Sequence, residues 1–199
     1  MSDPRLDRWL DAVLATPGLT AIEDRDEARA MLVEDALRGV EVVGGFDGPI
    51  VDVGSGNGSP GIPLASALPD RDVTLVESNG RKAAFLERAA GDFPNVRVVR
   101  GRAEEQETDR FGVAVAKALA PPPVALEWVL PLVREGGAAV LWLGSGVDLE
   151  ALSVVVGQLG GAPVEARAGL AVVRKIASTP AGFPRRPGMA RKRPLTPPE

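Results

Sequence analysis

The sequence predicts an α/β layered fold in which helices cover both faces of a mostly parallel sheet. From Ile50 onward, apolar runs of strand length alternate with stretches of helical periodicity. Most of these runs are apolar on both faces, which is typical of a covered parallel sheet. The chain has 199 residues, 45% of them hydrophobic and 25% charged, and is therefore long enough to build one such core.

Two helical segments precede the sheet, at residues 5–16 and 22–40. In the second, apolar residues recur at steps of three and four, and acids cluster early, where the helix dipole favours them. Residues 43–49, "VGGFDGP", predict a loop closed by Pro49. We expect residues 1–45 to form a small helical N-terminal extension.

The alternating region, residues 46–178, contains six strand-like runs, and right-handed crossovers would join them through helices. The runs are "PIVDVG", "DVTLVES", "NVRVVRG", "FGVAVAKA", "GAAVLWLG" and "GLAVVRKI", with helices expected at 62–68, 80–90, 124–134 and 148–159. The last segment, residues 179–199, is proline-rich and cationic. Its composition predicts an extended arm rather than another packed element.

Composition excludes several kinds of chemistry. The chain has no cysteine and no histidine. Disulfides, cysteine nucleophiles and thiolate metal sites are therefore excluded, and the commonest general base and metal ligand are missing, so we expect no metal. No signal-type segment and no apolar run of membrane-spanning length is present, so we expect a cytoplasmic protein without a membrane partner.

Charge is distributed unevenly along the chain. The net charge is −4, yet the segment from Ser178 onward has five cations and one anion, which leaves about −8 on the remaining body. An acidic body with a basic arm indicates a polyanionic partner that is contacted locally. A solubilising tail is the plainer explanation of the same pattern.

A glycine-rich segment, "IVDVGSGNGSPGIPLASALP" at 50–69, follows the first apolar run. Gly54, Gly56 and Gly58 allow a sharp turn and a close approach of the backbone to a ligand. The absence of Gly-Lys-Ser/Thr argues against nucleoside triphosphate hydrolysis, whereas "GNGSPG" at 56–61 does match the dinucleotide fingerprint. Both a dinucleotide and S-adenosylmethionine are compatible with this loop alone.

Three acids near successive strand ends favour S-adenosylmethionine. Asp52 precedes the glycines in the form Asp-x-Gly-x-Gly-x-Gly, which is usual at a methyltransferase's cofactor loop. Glu77 closes the next strand, where it could accept the ribose hydroxyls of either cofactor. Glu104, in "GRAEE" at 101–105, could accept the adenine amino group while neighbouring backbone contacts the ring edge. A dinucleotide has less use for that third acid, because its pyrophosphate crosses the switch point of the sheet.

These motifs, with "DVGSGNGSPGIPLA", "VTLVESNGRKAAFLER", "VVRGRAEE" and "FPRRPGMARKRPL", resemble the glucose-inhibited division protein B family over about Leu19 to Leu195. Members of that family are bacterial methyltransferases that place a methyl on N7 of a guanosine in 16S ribosomal RNA. The resemblance implies a Rossmann-like class I S-adenosylmethionine methyltransferase fold, with a seven-stranded, mostly parallel sheet and a small helical N-terminal extension. The partner that it implies is 16S ribosomal RNA or the small ribosomal subunit, and we expect the protein to be a monomer.

The motifs and the resemblance together give the candidate site residues, and the resemblance implies cofactor contacts at Gly54, Ser59, Glu77, Ala103 and Glu104 among them. Lys117, in "VAKALAP", occupies the place of a family arginine, and it would face the target guanosine or the cofactor carboxylate as the candidate catalytic residue. The candidate cofactor-binding residues are Asp52, Gly54, Gly56, Gly58, Ser59, Glu77, Ser78, Ala103, Glu104 and Lys117. The candidates for RNA phosphate contacts are Arg185, Arg186, Arg191, Lys192 and Arg193.

The implied chemistry suits a chain without histidine or cysteine. Guanine N7 has an exposed lone pair and no proton, so its methylation needs alignment of the reactants rather than a general base. Methylation of cytosine C5 normally calls for a cysteine nucleophile. Methylation of the adenine amino group usually uses an Asn/Asp-Pro-Pro-aromatic loop, which "ALAPPPVAL" lacks.

Several polar positions of the family are absent here: Met31, Leu32, Leu143, Ala168 and Gly169 stand where the family has polar residues. Lys117 keeps the charge of the family arginine without its planar fork. Two explanations remain open, a divergent member that methylates this guanosine and a relative with another substrate or little activity. A non-catalytic RNA- or ribosome-binding protein and a nicotinamide-dependent oxidoreductase are the further alternatives.

Overall fold

The computed structural model describes residues 3–144 and 146–196, and their strands form a seven-stranded sheet in the order β3-β2-β1-β4-β5-β7-β6. Strands β1 to β5 are parallel, and β7 is antiparallel to both β5 and β6. This confirms the seven-stranded, mostly parallel sheet. The strands are β1 (Ile50–Val53), β2 (Val73–Glu77), β3 (Val96–Arg100), β4 (Phe111–Lys117), β5 (Val133–Trp142), β6 (Glu165–Arg167) and β7 (Leu170–Arg174).

Helices cover both faces of this sheet. They are α1 (Pro4–Ala15), α2 (Arg25–Arg29), α3 (Asp35–Leu37), α4 (Val40–Gly44), α5 (Gly61–Ala67), α6 (Gly80–Ala90), α7 (Pro122–Val129), α8 (Leu149–Gly157) and α9 (Met189–Lys192). A π-helical turn, Ala30–Glu34, joins α2 to α3, and 3-10 turns lie at Ala103–Glu105 and Leu130–Leu132. None of the helices in residues 3–144 and 146–196 is long and apolar enough to cross a membrane.

Short polar side chains fix where the main helices begin. Asp3 caps α1, Asn79 caps α6 and Asp148 caps α8, each accepting backbone N–H groups of the first turn. For α6 the cap places the start at Gly80, so the helix has the bounds 80–90 that the sequence predicts.

Two apolar clusters hold the layers together. On one face, Leu10 and Val13 of α1 pack with Leu86 of α6 and with Ile50 and Val113 of the sheet. The helices of the N-terminal extension therefore share a core with the sheet. The cluster on the other face is built from strand residues and from α7, α8 and α9.

The sequence-based prediction of one helix over 124–134 is wrong. The α-helix ends at Val129, a 3-10 turn contains Pro131, and β5 begins at Val133. Proline has no N–H to donate and clashes with the preceding helical turn, so the apolar run divides into a helix and a strand.

Other boundaries differ in smaller ways. The helix predicted over 22–40 begins at Arg25 and is interrupted by the π turn, and α4 (Val40–Gly44) extends into the loop expected at 43–49. β6 was missed as a strand-like run, because its three residues are all exposed and carry no apolar pattern.

The C-terminal segment is not the extended arm that its composition predicts. It contains α9, buries Ala190 to 2% exposure, and packs Phe183 and Leu195 against the second core. Its start is held by Lys175, whose fully buried Nζ donates to the Leu130 carbonyl and, at 2.7 Å, to the Thr179 hydroxyl. Apolar contacts therefore outweigh the flexibility that its prolines and charges suggest.

Candidate active site

The sheet topology brings the predicted site residues to one edge. The strand order reverses between β1 and β4, and ligands of such sheets bind outside the carboxyl ends of the strands at this switch point. The glycine loop follows β1, Glu77 ends β2, the 3-10 turn Ala103–Glu105 follows β3, and Lys117 ends β4.

The glycine loop takes a backbone form that favours glycine. Gly54 has a φ of +68°, and a Cβ there would lie 2.2 Å from Leu119. Gly56 has a φ of +57°, but a Cβ there would meet nothing closer than the Gly54 carbonyl at 3.7 Å. Gly54 is thus required by packing, whereas at Gly56 only the positive φ favours glycine and the space beside its Cα is free.

Asp52 supports this loop from within the core. Its side chain is 1% exposed, and Oδ2 accepts the Gly61 N–H at 3.1 Å. Burial raises the pKa of Asp52 to about 7, an effect that the Gly61 N–H opposes and the nearby Glu77 carboxylate reinforces. Oδ1 is buried without a hydrogen-bond partner in the described residues, so one polar atom beneath the loop is left unsatisfied.

Glu77 links the loop to the next helix. Its Oε2 accepts the Gly56 N–H at 2.9 Å, and its Oε1 accepts the Asn79 N–H at 2.6 Å. The side chain is 7% exposed. These two bonds hold the carboxylate at the end of β2, and each oxygen has a further lone pair for a ribose hydroxyl.

A cavity of about 260 Å³ lies beside these elements. Four predicted residues line it, namely Gly54, Ser78, Ala103 and Glu104. Whole-ligand pockets usually measure about 300–1,000 Å³, so this one suits one end of an elongated cofactor, such as its nucleoside.

A larger cavity, of about 670 Å³, lies elsewhere, between α4 and the β5–β7 region. Arg134 and Arg174, which line it, stand at the start of β5 and the end of β7, away from the carboxyl ends of the parallel strands. We therefore assign the cofactor to the smaller cavity, because that cavity lies at the switch point of the sheet and the larger one does not.

Sequence reasoning missed part of the wall of this pocket. Leu119, Trp128, Gly188 and Arg191 also line it. The spacing of α7 makes Trp128 indistinguishable from an ordinary core residue. Arg191, expected at RNA phosphates, lies with its guanidinium carbon 5.1 Å from the centre of the Trp128 ring.

The N-terminal helices are hydrogen-bonded to the glycine loop at two points. Trp9 Nε1 donates to the Asn57 carbonyl at 2.9 Å, and the Ser59 hydroxyl donates to the Leu32 carbonyl at 2.7 Å. Leu32 belongs to the π turn, whose altered hydrogen bonding leaves carbonyls for such partners. The Ser59 side chain, expected at the cofactor, is thus occupied in holding the loop to the π turn.

Lys117 is held at the same turn. Its Nζ donates to the Met31 carbonyl and pairs with Asp35 Oδ2 at 2.5 Å. Burial opposes ionisation of Asp35, but Lys117 and Arg38 together hold the pKa of Asp35 below its ordinary value. The cation is therefore fixed at the end of β4, with 15% of its side chain exposed.

The five C-terminal cations fall into two groups. Arg185 donates to both oxygens of Glu127, which is 1% exposed, and Arg191 covers Trp128. Arg186, Lys192 and Arg193 have exposed side chains on the surface of the same segment.

The pocket fits S-adenosylmethionine by its chemistry. Glu104 places an acceptor in the wall of the cavity, and Glu77, next to the lining residue Ser78, places a second acceptor at the end of β2 beside the glycine loop. The described residues contain no cluster of three or more acids that could hold a metal ion.

Comparison with known proteins identifies the same chemistry. The family model described as rRNA small subunit methyltransferase G matches residues 7–153. A ribosomal RNA small subunit methyltransferase G from Roseiflexus castenholzii is 38% identical over 195 residues, covering 89% of this chain and 83% of the relative. The protein of the same name from Synechococcus elongatus is 35% identical over 198 residues, with 89% and 82% covered.

Solved structures share the fold. A TehB-like SAM-dependent methyltransferase from Corynebacterium glutamicum matches with a TM-score of 0.56 and 22% identity, over 76% of this chain and 93% of that one. A putative S-adenosyl-L-methionine-dependent methyltransferase from Methanococcus maripaludis matches with a TM-score of 0.60 and 15% identity, over 77% and 91%. These likenesses confirm the Rossmann-like methyltransferase architecture.

Proposed function

Since the chain belongs to the rRNA small subunit methyltransferase G family, we propose that it transfers a methyl group from S-adenosylmethionine to N7 of a guanosine in 16S ribosomal RNA. The observation that carries the proposal is the meeting, at the switch point, of the glycine loop, two strand-end carboxylates and a fixed cation. The same edge has neither a histidine nor a cysteine, because the chain contains none.

The cofactor would be held along this edge by its two ends. Glu104 and the Ala103 backbone would hold adenine, with Ser78 beside them, and Glu77 would hold the ribose. The methionine portion would lie over the backbone of Gly54, Gly56 and Gly58, supported by Asp52 and Ser59 beneath. Lys117 would meet the methionine carboxylate, since it is a cation at the end of β4, next to β1.

The residues present suit attack by an unprotonated ring nitrogen. S-adenosylmethionine supplies a methyl on a positively charged sulfur, which N7 of guanine attacks without losing a proton. The protein's contribution is therefore to hold nucleophile and methyl in line and to exclude water. The bonds that Trp9 and Ser59 make to carbonyl groups hold the glycine loop against the N-terminal helices, and the bond from Lys117 to the Met31 carbonyl holds the end of β4 there.

Ribosomal RNA would approach along the cationic part of the C-terminal segment. Arg186, Lys192 and Arg193 are exposed near the cofactor pocket, and they stand out against an acidic body. Phosphate contacts of this kind set the register of the RNA without reading its sequence. We expect the protein to act as a monomer in the cytoplasm, on the RNA or on the small subunit.

One observation favours a second candidate function, a methyltransferase that uses the same cofactor but methylates a different RNA target. Met31, whose carbonyl accepts from Lys117, has an apolar side chain that is 50% exposed. That side chain offers no polar group to RNA at a position where the family has a polar residue. The nucleoside that is methylated distinguishes the two candidates.

The test is a methyl-transfer assay with tritiated S-adenosylmethionine, using 30S subunits and naked 16S ribosomal RNA in parallel. Digestion of the RNA to nucleosides should place the label in 7-methylguanosine. Label in another nucleoside would support the second candidate. Absence of label with both substrates would contradict both.

A matched pair of variants ties the activity to this site. Glu104→Ala should lower turnover at subsaturating cofactor at least about tenfold, because it removes a charged acceptor for adenine. Glu105→Ala changes the next residue of the same turn, whose carboxylate accepts the Arg102 N–H at 3.1 Å, and should leave turnover nearly unchanged. Equal effects of the two changes would contradict the assignment of Glu104.

A further inference from the structure

Resting on the proposed function, we propose that the C-terminal segment 183–193 is the outer wall of the adenine subsite, with Arg185 and Arg191 as positioning residues. Composition alone assigns this segment to RNA. Its contacts instead place Arg191 in the wall of the cofactor pocket and pair Arg185 with the buried Glu127.

The anchor is an ion pair between Arg185 and Glu127. Glu127 lies in α7 and is 1% exposed, and a carboxylate that deep in the fold requires a partner. Arg185 supplies a two-pronged bond, with Nε 2.6 Å from Oε1 and Nη2 bonded to Oε2. The hydrogen bonds to Glu127 raise the pKa of Arg185, so the guanidinium stays charged.

The same guanidinium closes the segment on itself. Arg185 Nη2 also donates to the Arg193 carbonyl at 2.7 Å, which closes the segment between these two residues into a loop. Ala190, inside this loop, is buried in the core that α7 lines. The segment is therefore held against the body at both ends and at its centre.

Two contacts join this loop to the pocket itself. The Gly188 N–H donates to Glu104 Oε1 at 3.2 Å, and Arg191 stacks over Trp128. Gly188, Arg191, Glu104 and Trp128 all line the cavity of about 260 Å³. A ligand in this cavity would thus touch the C-terminal segment on one side and the body on the other.

Glu104 couples the C-terminal segment to the bound nucleoside, because both would contact its carboxylate. One carboxylate oxygen holds Gly188, and the group has a second oxygen for the adenine amino group. A bound nucleoside would therefore steady the segment, and a steady segment would complete the subsite. A segment that served RNA alone would have no such response to the cofactor.

The first test compares two neighbouring cations of α9 by calorimetry with S-adenosylhomocysteine. Arg191→Ala removes a pocket wall and a cation–π contact and should raise the Kd about three- to tenfold. Lys192→Ala, a cation of the same helix that does not line the pocket, should leave this Kd within about twofold. The Lys192→Ala variant should instead bind RNA more weakly than the wild type.

A second measurement does not depend on substitution. Hydrogen exchange of the intact protein should slow in the 183–193 peptide when S-adenosylhomocysteine is added, while a peptide from α8 stays unchanged.

Deletion of residues 181–199 should raise the Kd at least about tenfold, the factor that corresponds to about 1.4 kcal/mol. The deletion leaves the Lys175–Thr179 anchor in place and opens Glu127 to solvent, and a cooperative melt would show that the chain still folds.

The outcomes separate this inference from the proposed function. An unchanged Kd in Arg191→Ala, together with unchanged hydrogen exchange in 183–193, would show that this segment is not a wall of the adenine subsite. Binding of S-adenosylhomocysteine by the wild type would still support the cofactor site. Failure of the wild type to bind S-adenosylhomocysteine would overturn the proposed function itself.

Discussion

The buried carboxyl group of Asp52 should make the free energy of unfolding depend on pH. Its pKa in the folded chain, about 7, lies above the ordinary value of 3.8. The folded chain therefore keeps a proton that the unfolded chain loses between these two values. By linkage, Asp52 should lower the free energy of unfolding by about 1.4 kcal/mol for each pH unit gained in that window.

The variant Asp52→Asn should remove this dependence, because an amide of the same shape does not titrate. Urea unfolding from pH 5 to 8 should show the wild type losing stability relative to the variant up to about pH 7, and no further difference above it. The subtraction cancels groups with lowered pKa values, such as Asp3, which act in the opposite direction. Parallel curves for the two proteins would show that Asp52 is ionised in the fold throughout.

Lys117 allows a prediction about which end of the cofactor it meets. Lys117→Met should weaken S-adenosylhomocysteine about tenfold or more, since a charged hydrogen bond contributes about 1.5–3 kcal/mol. Affinity for 5′-methylthioadenosine, which lacks the methionine carboxylate, should be almost unchanged. Lys117→Arg keeps the charge and should restore most of the affinity.

Two other results would change the role of Lys117. An equal loss for both ligands would mean that Lys117 supports the loop through Met31 and Asp35 rather than meeting the carboxylate. A loss confined to methyl transfer, with both affinities intact, would place it at the target guanosine.

At the scale of elements, the π turn Ala30–Glu34 joins the N-terminal helices to two parts of the site. Its Leu32 carbonyl accepts from Ser59 on the glycine loop, and its Met31 carbonyl accepts from Lys117 at the end of β4. Extra or shifted turns of this kind are frequent at functional sites. The small N-terminal extension thus aligns the site rather than merely covering the sheet.

Ser59→Ala tests this alignment. Loss of the bond to Leu32 should lower the free energy of unfolding by about 1 kcal/mol and also raise the Kd of S-adenosylhomocysteine severalfold, because the loop loses an anchor. Ser66→Ala is the matched control: its hydroxyl, on α5, donates to Asp3 Oδ2 at 2.5 Å, away from the glycine loop. It should lower stability without changing the Kd. A stability loss alone in Ser59→Ala would contradict the alignment.

Local patterns were enough to predict the elements that place the acids. The runs containing Val51 and Leu75 are apolar on both faces, and glycines mark the loop between β1 and α5, so Asp52, Glu77 and Glu104 could be assigned to strand ends. The same reasoning failed at Pro131, where an apolar run continues across a change from helix to strand. Periodicity does not register such a change when both elements are buried.

Contacts between distant residues could not be predicted this way. Glu127 and Arg185 are 58 positions apart, and neither has a local pattern that marks it as a partner of the other. The charge of Arg191 favoured RNA, because nothing near it in the sequence indicates Trp128. The C-terminal wall of the pocket is therefore a result of tertiary packing.

For the whole molecule, the distribution of charge should govern how it meets RNA. A body of net charge about −8 repels phosphate in general, so a few exposed cations must attract it locally. Arg185 is paired with Glu127, and Arg191, although exposed, lies over the Trp128 ring, so we assign phosphate contacts to the other three cations of this segment, Arg186, Lys192 and Arg193. Three contacts to unpaired RNA predict a slope of log affinity against log salt of about −2 from this segment.

Replacing Arg186, Lys192 and Arg193 together by alanine should make that slope less negative by about 2, measured by anisotropy with a labelled fragment of 16S ribosomal RNA across potassium chloride concentrations. Affinity for S-adenosylhomocysteine should be retained, because none of the three lines the pocket. Arg110→Ala is the control, since this cation pairs with Glu107 next to the start of β4, at the opposite edge of the sheet. An unchanged slope in the triple variant would mean that phosphate is bound by another face of the protein, and the segment would then serve the cofactor pocket alone.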